Sequence, residues 1–412
     1  MTSSDKDKLT RELHDRSQDV GGHPIDFAGV RSTAGRIRRR RNAVAGTVAA
    51  LVAAVVVPSG LAITDGLLST TEGPSGGQSF AASPSAAPTP DGPVTLDLQG
   101  LPRGAAPEKP YFWWPDRQLV TPEGRQTMPV DLRSVVPDGE GGWLGLGYDG
   151  GGSEVLSLDA GLQVRGRERT NHRMAASPDG RFVSYVKTEE PYAQQLVIRP
   201  LRRDEHPDDE PTTWGFDSAR PTVEPVGVAG PRTVVFETNE GGKVQVWLAA
   251  DGAEHTRLAA FRTARDASFD GLVAGTTRAN PDGSVCAGVM DTAQSTTGLL
   301  WESCDHTLVS FSPDGRHVLA SAPYQSGLGM MNVSVLDART GDTVADFTQP
   351  RDGGLAVVNT TWEDTDSLLA VVVDGNTWSM LRLGVTGTLE EVVDRVEGNP
   401  YADFPMTFAQ PD

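Results

Sequence analysis

The nine residues Ser312-Pro-Asp-Gly-Arg-His-Val-Leu-Ala320 carry the logic of the whole fold. Proline sets φ for the first turn position, aspartate can bond its own backbone, and glycine supplies the positive φ that closes the turn. An apolar strand, His317-Val-Leu-Ala320, follows at once. The same unit recurs as Ser177-Pro-Asp-Gly-Arg181 before Phe182-Val-Ser-Tyr-Val186, as Asn280-Pro-Asp-Gly-Ser284 before Val285-Cys-Ala-Gly-Val289, and as Val136-Pro-Asp-Gly-Glu140. Thr121-Pro-Glu-Gly-Arg125 is a near match. Degenerate copies fill the gaps: Gly230-Pro-Arg-Thr233 precedes Val234-Val-Phe-Glu237, and Trp362-Glu-Asp-Thr-Asp366 precedes Leu368-Leu-Ala-Val-Val-Val373.

With the second turn position as marker, the units fall at 137, 178, 231, 281, 313 and 363. Their mean spacing, about 45 residues, is the length of one four-stranded propeller blade. Between markers come further strand–turn pairs, such as Val244-Gln-Val-Trp-Leu248 with Asp251-Gly252 and Val333-Ser-Val-Leu336 with Asp337-Ala-Arg-Thr-Gly341. No crossover helix separates them, which argues against a βαβ fold. The high turn content (Gly 46, Pro 29) agrees. An all-β chain is expected: a β-propeller of about seven four-stranded blades over 94–404, with a short C-terminal tail at 405–412. Six or eight blades also fit the uneven intervals. Residues 94–135 would supply the remaining blade, and pairing of N- and C-terminal strands would remove an open sheet edge.

The Ser-Pro-Asp-Gly-Arg turn feeding a hydrophobic strand resembles the TolB-type (WD40-like) propellers of bacterial envelopes. That resemblance implies a propeller and says little about its ligand.

Net charge is −19. Residues 1–42 carry a net of +4, so the remainder carries −23. A surface that acidic keeps a large domain soluble and argues against a nucleic-acid partner. The basic cluster has its own explanation. Residues 43–63, Ala-Val-Ala-Gly-Thr-Val-Ala-Ala-Leu-Val-Ala-Ala-Val-Val-Val-Pro-Ser-Gly-Leu-Ala-Ile, contain no charged side chain. As a helix they would span about 31 Å, close to the hydrocarbon thickness. Arg36, Arg38, Arg39, Arg40 and Arg41 stand before them, and Asp65 and Glu72 after, with no basic residue until Arg103. The positive-inside rule then predicts a single transmembrane α-helix (43–66), with the N-terminus cytoplasmic and the C-terminal domain extracytoplasmic. The competing readings are a cleaved signal peptide, whose n-region would be unusually long, and a buried soluble helix. Residues 67–93 are rich in Ser, Ala, Pro and Gly and lack the apolar surface to fold, so a disordered linker is expected there.

In the tail, 1–42, residues 5–20 suit a short helix capped by Ser4. Glu12-Leu13-His14-Asp15-Arg16, Asp19-Val20, Pro24-Ile25-Asp26, Val30-Arg31 and the run to Arg41 loosely resemble the cytoplasmic stub of sigma-factor-associated (anti-sigma-like) membrane proteins. The resemblance implies a sigma factor or other regulator as an inside partner. The tail has no cysteine, unlike zinc-type anti-sigma domains, and the plainer alternative is a basic flank on anionic lipid.

Cys286 and Cys304 both lie nine residues from Ser295. A hairpin centred there sets them opposite each other, at the separation a disulfide needs. Outside the membrane a bridge could form; two buried thiols are the alternative.

Candidate chemistry is sparse. Gly145-Leu-Gly-Tyr-Asp-Gly150 matches a dinucleotide fingerprint but runs into another strand, without the helix that would hold a pyrophosphate. Asp204-Glu-His-Pro-Asp-Asp-Glu210 lacks the spacing of a calcium loop and reads as a solvated charge run. There is no His-Glu-x-x-His, and the single Gly-x-Ser-x-Gly match, Gly73-Pro-Ser-Gly-Gly77, falls in the Pro/Ser-rich stretch and not between a strand and a helix. No catalytic residue, cofactor or metal ligand is nominated. Four consecutive rings, Tyr111, Phe112, Trp113 and Trp114, form a candidate binding surface, with core packing between blades as the alternative. The sequence thus leads to a membrane-anchored, non-catalytic propeller that binds a protein, peptide or glycan outside. The other class is an extracytoplasmic propeller enzyme, lactonase-like or another hydrolase, assembling its site from distant blades.

Overall fold

The computed structural model describes residues 92–410, apart from 149–151, 190–192, 202–209, 217–221, 252, 282–283, 324–327, 351–352 and 402–403. The basic tail, the apolar span 43–66, nearly all of the linker and most of the acidic 204–210 loop lie outside the described residues. Among those described, no helix is long and apolar enough to cross a membrane.

The described chain is a succession of twenty-eight β-strands without an α-helix. They form six sheets, almost entirely antiparallel. The first holds β2 (Tyr111–Trp113), β3 (Gln118–Thr121), β4 (Gly124–Thr127) and, from the other end of the chain, β28 (Met406–Phe408). The second holds β5 (Asp131–Pro137), β6 (Trp143–Tyr148), β7 (Ser153–Leu158), β8 (Val164–Ala176), β9 (Phe182–Glu189), β10 (Ala193–Pro200) and β11 (Thr212–Phe216). The third is β12 (Thr222–Gly230), β13 (Thr233–Glu240), β14 (Lys243–Ala250) and β15 (Thr256–Arg257). The fourth is β16 (Thr263–Ala267), β17 (Leu272–Ala279), β18 (Val285–Asp291) and β19 (Trp301–Ser303). The fifth is β20 (Thr307–Phe311), β21 (His317–Ser321), β22 (Asn332–Asp337) and β23 (Thr343–Thr348), with β1 (Val94–Thr95) added in parallel to β23. The sixth is β24 (Leu355–Trp362), β25 (Ser367–Asp374), β26 (Thr377–Gly384) and β27 (Leu389–Glu397).

This is an all-β propeller built of meandering sheets, and it differs from seven separate four-stranded blades. Five sheets have four or five strands and one has seven. The cause is β8, thirteen residues long, which pairs with β7 through its first half and with β9 through its second. Two further expectations are corrected. The end of the chain is not a tail: Met406 and Phe408 pair with Trp113 and Tyr111, because alternate apolar residues at 406 and 408 fit the buried face of the first sheet. The turn Asn280–Ser284 joins the second and third strands of its sheet. The first-to-second turn there is Ser268-Phe-Asp-Gly271, where Phe269 takes the place of proline.

That turn shows which atoms the motif needs. Ser268 Oγ bonds Asp270 and accepts from Leu272 N (3.0 Å). Ser177 and Ser312 accept from Phe182 N and His317 N in the same way, at 3.0 Å each. Gly180 and Gly315 sit at φ near +70°. The serine and glycine therefore close the turn in all three copies, and proline only pre-sets it.

Apolar faces pair between sheets. Phe112 and Leu119 of the first sheet pack with Leu132, Val135 and Leu156 of the second. Leu196 and Ile198 meet Val223, Val234 and Phe236 of the third. Leu319, Val333 and Val335 of the fifth meet Leu368, Ala370 and Val372 of the sixth. Within the seven-stranded sheet, Val136, Leu144 and Val155 pack on Val183, Tyr185 and Val197, so its two halves face each other about β8. Each fully buried side chain of this kind stabilises the fold by roughly 1.5–3 kcal/mol.

Candidate functional site

In every sheet but the first, the strand that opens the sheet or half-sheet departs from regular pairing. Register shifts fall at Leu132/Ser134, Thr170/Met174, Pro225/Gly227, Ala264/Asp266, Leu308/Phe311 and Val357/Asn359. A bulge leaves the inserted residue unpaired and re-aims its side chain. Five of these shifts place Arg173, Val226, Arg265, Ser310 and Val358 on the wall of one cavity of about 710 Å³. Gly227, beside one bulge, has no room for a side chain: a Cβ there would fall 2.6 Å from Ala267 N, so the third and fourth sheets converge closely at the channel.

Hydrogen bonds between neighbouring sheets run around this channel. Glu237 Oε1 accepts from Ala264 N (2.7 Å), and Asp266 Oδ2 accepts from Phe311 N (2.7 Å). Trp362 Nε1 donates to Ser310 O (3.3 Å). Asn359 Oδ1 accepts from Phe408 N (3.4 Å), and Val135 N donates to Ala409 O (2.5 Å). Side-chain bonds, and one backbone bond at the chain end, thus link the third sheet through the fourth, fifth, sixth and first to the second.

Asp266 has the most altered chemistry. Its side chain keeps some contact with channel solvent, but protein surrounds it. Desolvation pushes the carboxyl up to about 7, against the opposing bonds from Phe311 N and Ala267 N. Burial likewise raises Glu237, with Ala264 N opposing. Lys109, also on the channel wall, is lowered by burial although Glu363, Asp364 and Glu108 pull the other way. Arg173 lies 3.6 Å from Glu224. The wall therefore mixes cations, carboxyls and apolar side chains. Two hydroxyls on it are engaged: Ser177 Oγ with Asp179 Oδ1 (2.6 Å) and Thr361 Oγ1 with Gln410 Oε1 (2.7 Å). Among the described residues, no three of His, Cys, Asp or Glu gather to hold a metal ion.

The aromatic run is corrected as a binding surface. Tyr111 and Phe112 are buried, in two different cores, because the strand alternation sends them to opposite faces. Trp113 and Trp114 are half-buried against those cores, and Trp114 Nε1 donates to Thr407 Oγ1 (2.9 Å). Arg125 lies over the Trp113 ring. Cys286 and Cys304 are disulfide-bonded; Ala287 faces Ser303 in the adjoining register, so the bridge sits one pair beyond the β18–β19 ladder. Gly145 and Gly147 lie inside β6, paired with β7 in a hairpin. Arg36, Arg38, Arg39, Arg40 and Arg41 lie outside the described residues.

No site residue on the channel wall was singled out from the sequence. One signal was present: Thr263-Ala-Arg-Asp-Ala267 sets two charged residues side by side in a strand, which breaks the alternation expected of a half-buried one.

No family model matches the chain, and no curated protein matches it. Among solved structures, it is similar to an uncharacterized protein of Listeria monocytogenes at 13% identity, over 66% of this chain and 86% of that one, with a TM-score of 0.43. TolB of Acinetobacter baumannii matches at 12% identity over 69% of this chain and 68% of that one, TM-score 0.34. The β-propeller domain of the trilobed protease of Pyrococcus furiosus matches at 10% identity over 64% and 83%, TM-score 0.42. The propeller assignment rests on the strand order and the pairing of chain ends described above.

Proposed function

We propose that this chain is a single-pass membrane protein whose extracytoplasmic propeller is a non-catalytic binding module, engaging a protein, peptide or glycan at the mouth of its central channel. The supporting observation is the set of bulges that turn Arg173, Arg265, Val226 and Val358 into one cavity of mixed charge and apolar character. Such a wall offers ion pairs and apolar contact to a partner segment. In this reading β8 serves two blades, which makes seven around the ring. Residues 43–66 cross the membrane, 67–93 form the tether, and the stub before Arg41 contacts lipid and a sigma factor or other regulator inside. The charge asymmetry about the apolar span supports that orientation.

The test is affinity capture of the full chain from its own cells, beside Arg265→Glu and a chain lacking residues 1–35. The expected result is an envelope partner lost with Arg265→Glu and a cytoplasmic regulator lost with the truncation. Hydrolysis of a lactone or ester substrate that vanishes in Asp266→Asn would contradict the binding-module reading.

A further inference from the structure

Away from the channel, one face of the third sheet is graded along its length. The register of β13 and β14 sets Phe236 opposite Trp247, Thr238 opposite Gln245, and Glu240 opposite Lys243. Residues two apart on a strand share a face, so these six side chains form one grid, two wide and three long. It runs from aromatic through hydroxyl and amide to a pair of opposite charges. Phe216, at the end of β11 on the neighbouring sheet, and His255 close the aromatic end. The imidazole stacks on Phe216 (centroids 5.3 Å) and meets Phe236 edge-on (5.2 Å), and Phe216 meets Phe236 edge-on (5.7 Å). Burial lowers the His255 pKa, which favours the uncharged ring. Together they enclose a pocket of about 270 Å³.

The fixed and the free groups separate cleanly. Trp247 Nε1 is held by Thr238 Oγ1 (3.0 Å), which locks the indole as a wall. Among the described residues, Glu240 and Lys243 form no ion pair and Gln245 makes no side-chain hydrogen bond, although all three border the pocket. The pocket therefore offers an aromatic floor, an amide able to donate and accept, and a carboxylate and an ammonium of cancelling charge. A cation would meet Lys243, and an anion would meet Glu240. A wholly apolar ligand would strip water from the amide and both charges without replacing it. A neutral ring with one C–H face and several hydroxyls satisfies every group. Its size also fits: the volume is just below the ~300–1,000 Å³ of ordinary small-molecule sites, which suits a single ring.

We propose that the pocket between β11 and the β13–β14 hairpin is a carbohydrate subsite, taking one sugar ring stacked on Trp247 and Phe216 with its hydroxyls on Gln245, Glu240 and Lys243. This site is separate from the channel, so it extends the binding-module reading without sharing its residues, and Arg265→Glu should leave it unaffected.

The experiment is saturation-transfer difference NMR on the full chain in a sugar-free zwitterionic detergent. The probes are glucose, galactose, mannose and N-acetylglucosamine, with choline run separately. At least one sugar is expected to show saturation strongest at its ring C–H protons, reduced fivefold or more by Gln245→Ala and by Glu240→Ala. Both positions lie on the pocket's open side, so these variants keep the fold, which an unchanged melting temperature verifies. Trp247→Ala is expected to abolish the signal. Absence of saturation for all four sugars, or a signal that survives both rim substitutions, overturns the proposal. Saturation of choline alone overturns it in favour of an aromatic cage for cations.

Discussion

The backbone amide of Phe311 donates to Asp266 Oδ2 at 2.7 Å, so a carboxyl on the inner strand of the fourth sheet holds the inner strand of the fifth. Ala267 N bonds the other oxygen at 2.8 Å. Both oxygens of one side chain are thus used to fix a bulge and to join two sheets at the channel wall.

Burial brings Asp266 to about 7 in the fold, from an ordinary value of 3.8. Between those two values the native state keeps a proton that the unfolded chain has released, so this group's contribution to stability falls as pH rises through that window. Asp266→Asn removes the titration. Its melting temperature, relative to the unaltered protein, is expected to rise from pH 5 to pH 8. An offset that does not change with pH would count against this account.

Glu363 is nearly enclosed, at 2% side-chain exposure against 18% for its partner Arg382. It accepts from Arg382 Nε and Nη2 and from Glu108 N (2.8 Å), linking the sixth sheet to the segment that leads into the first. Glu363→Ala leaves a guanidinium with Glu390 as its remaining carboxylate partner and should cost about 3–5 kcal/mol in chemical denaturation. The double variant Glu363→Leu with Arg382→Met is expected to recover most of that loss. Equal instability of the single and double variants would show that the pair itself is not what matters.

Removal of the Cys286–Cys304 bridge, 18 residues apart, frees a closed loop in the unfolded chain. Loop-closure entropy puts the cost at about 3 kcal/mol. Cys286→Ser with Cys304→Ser should lower the denaturation midpoint accordingly, and reductant should lower it in the unaltered protein alone.

Ser312 Oγ accepts from His317 N and bonds Asp314 Oδ1 (2.8 Å) from a fully buried position. Ser312→Ala orphans that amide and should destabilise by about 1–3 kcal/mol. Pro313→Ala, which touches only the turn's pre-setting, should cost much less. The reverse order would mean that proline, and not serine, makes the turn.

These contrasts explain what the sequence made legible. The repeated turn was visible because glycine, aspartate and serine each have a local job, and local jobs leave local signatures. Ser268-Phe-Asp-Gly271 stood out less because it lacks proline, the one member of the motif the turn can spare. Closure by paired chain ends was expected, but not that Met406 and Phe408 would supply the strand, because three residues of alternating pattern say nothing about a partner three hundred positions away. The channel wall was hidden for a related reason. Arg173 and Arg265 face inward only because their strands bulge, and a bulge depends on how two strands pair. Tyr111 to Trp114 misled in the opposite sense: four rings in a row looked like surplus for one face, but the strand lies between two cores and each takes its share.

The central claim is that a partner is bound at the channel mouth. It is tested most directly by photo-crosslinking in living cells, with a benzoyl-phenylalanine probe at position 265 or, as a control, at exposed position 394 on the outer strand β27. The expected result is a discrete protein adduct from position 265 that is absent from position 394. Adducts from position 394 alone, or from neither position, would contradict it.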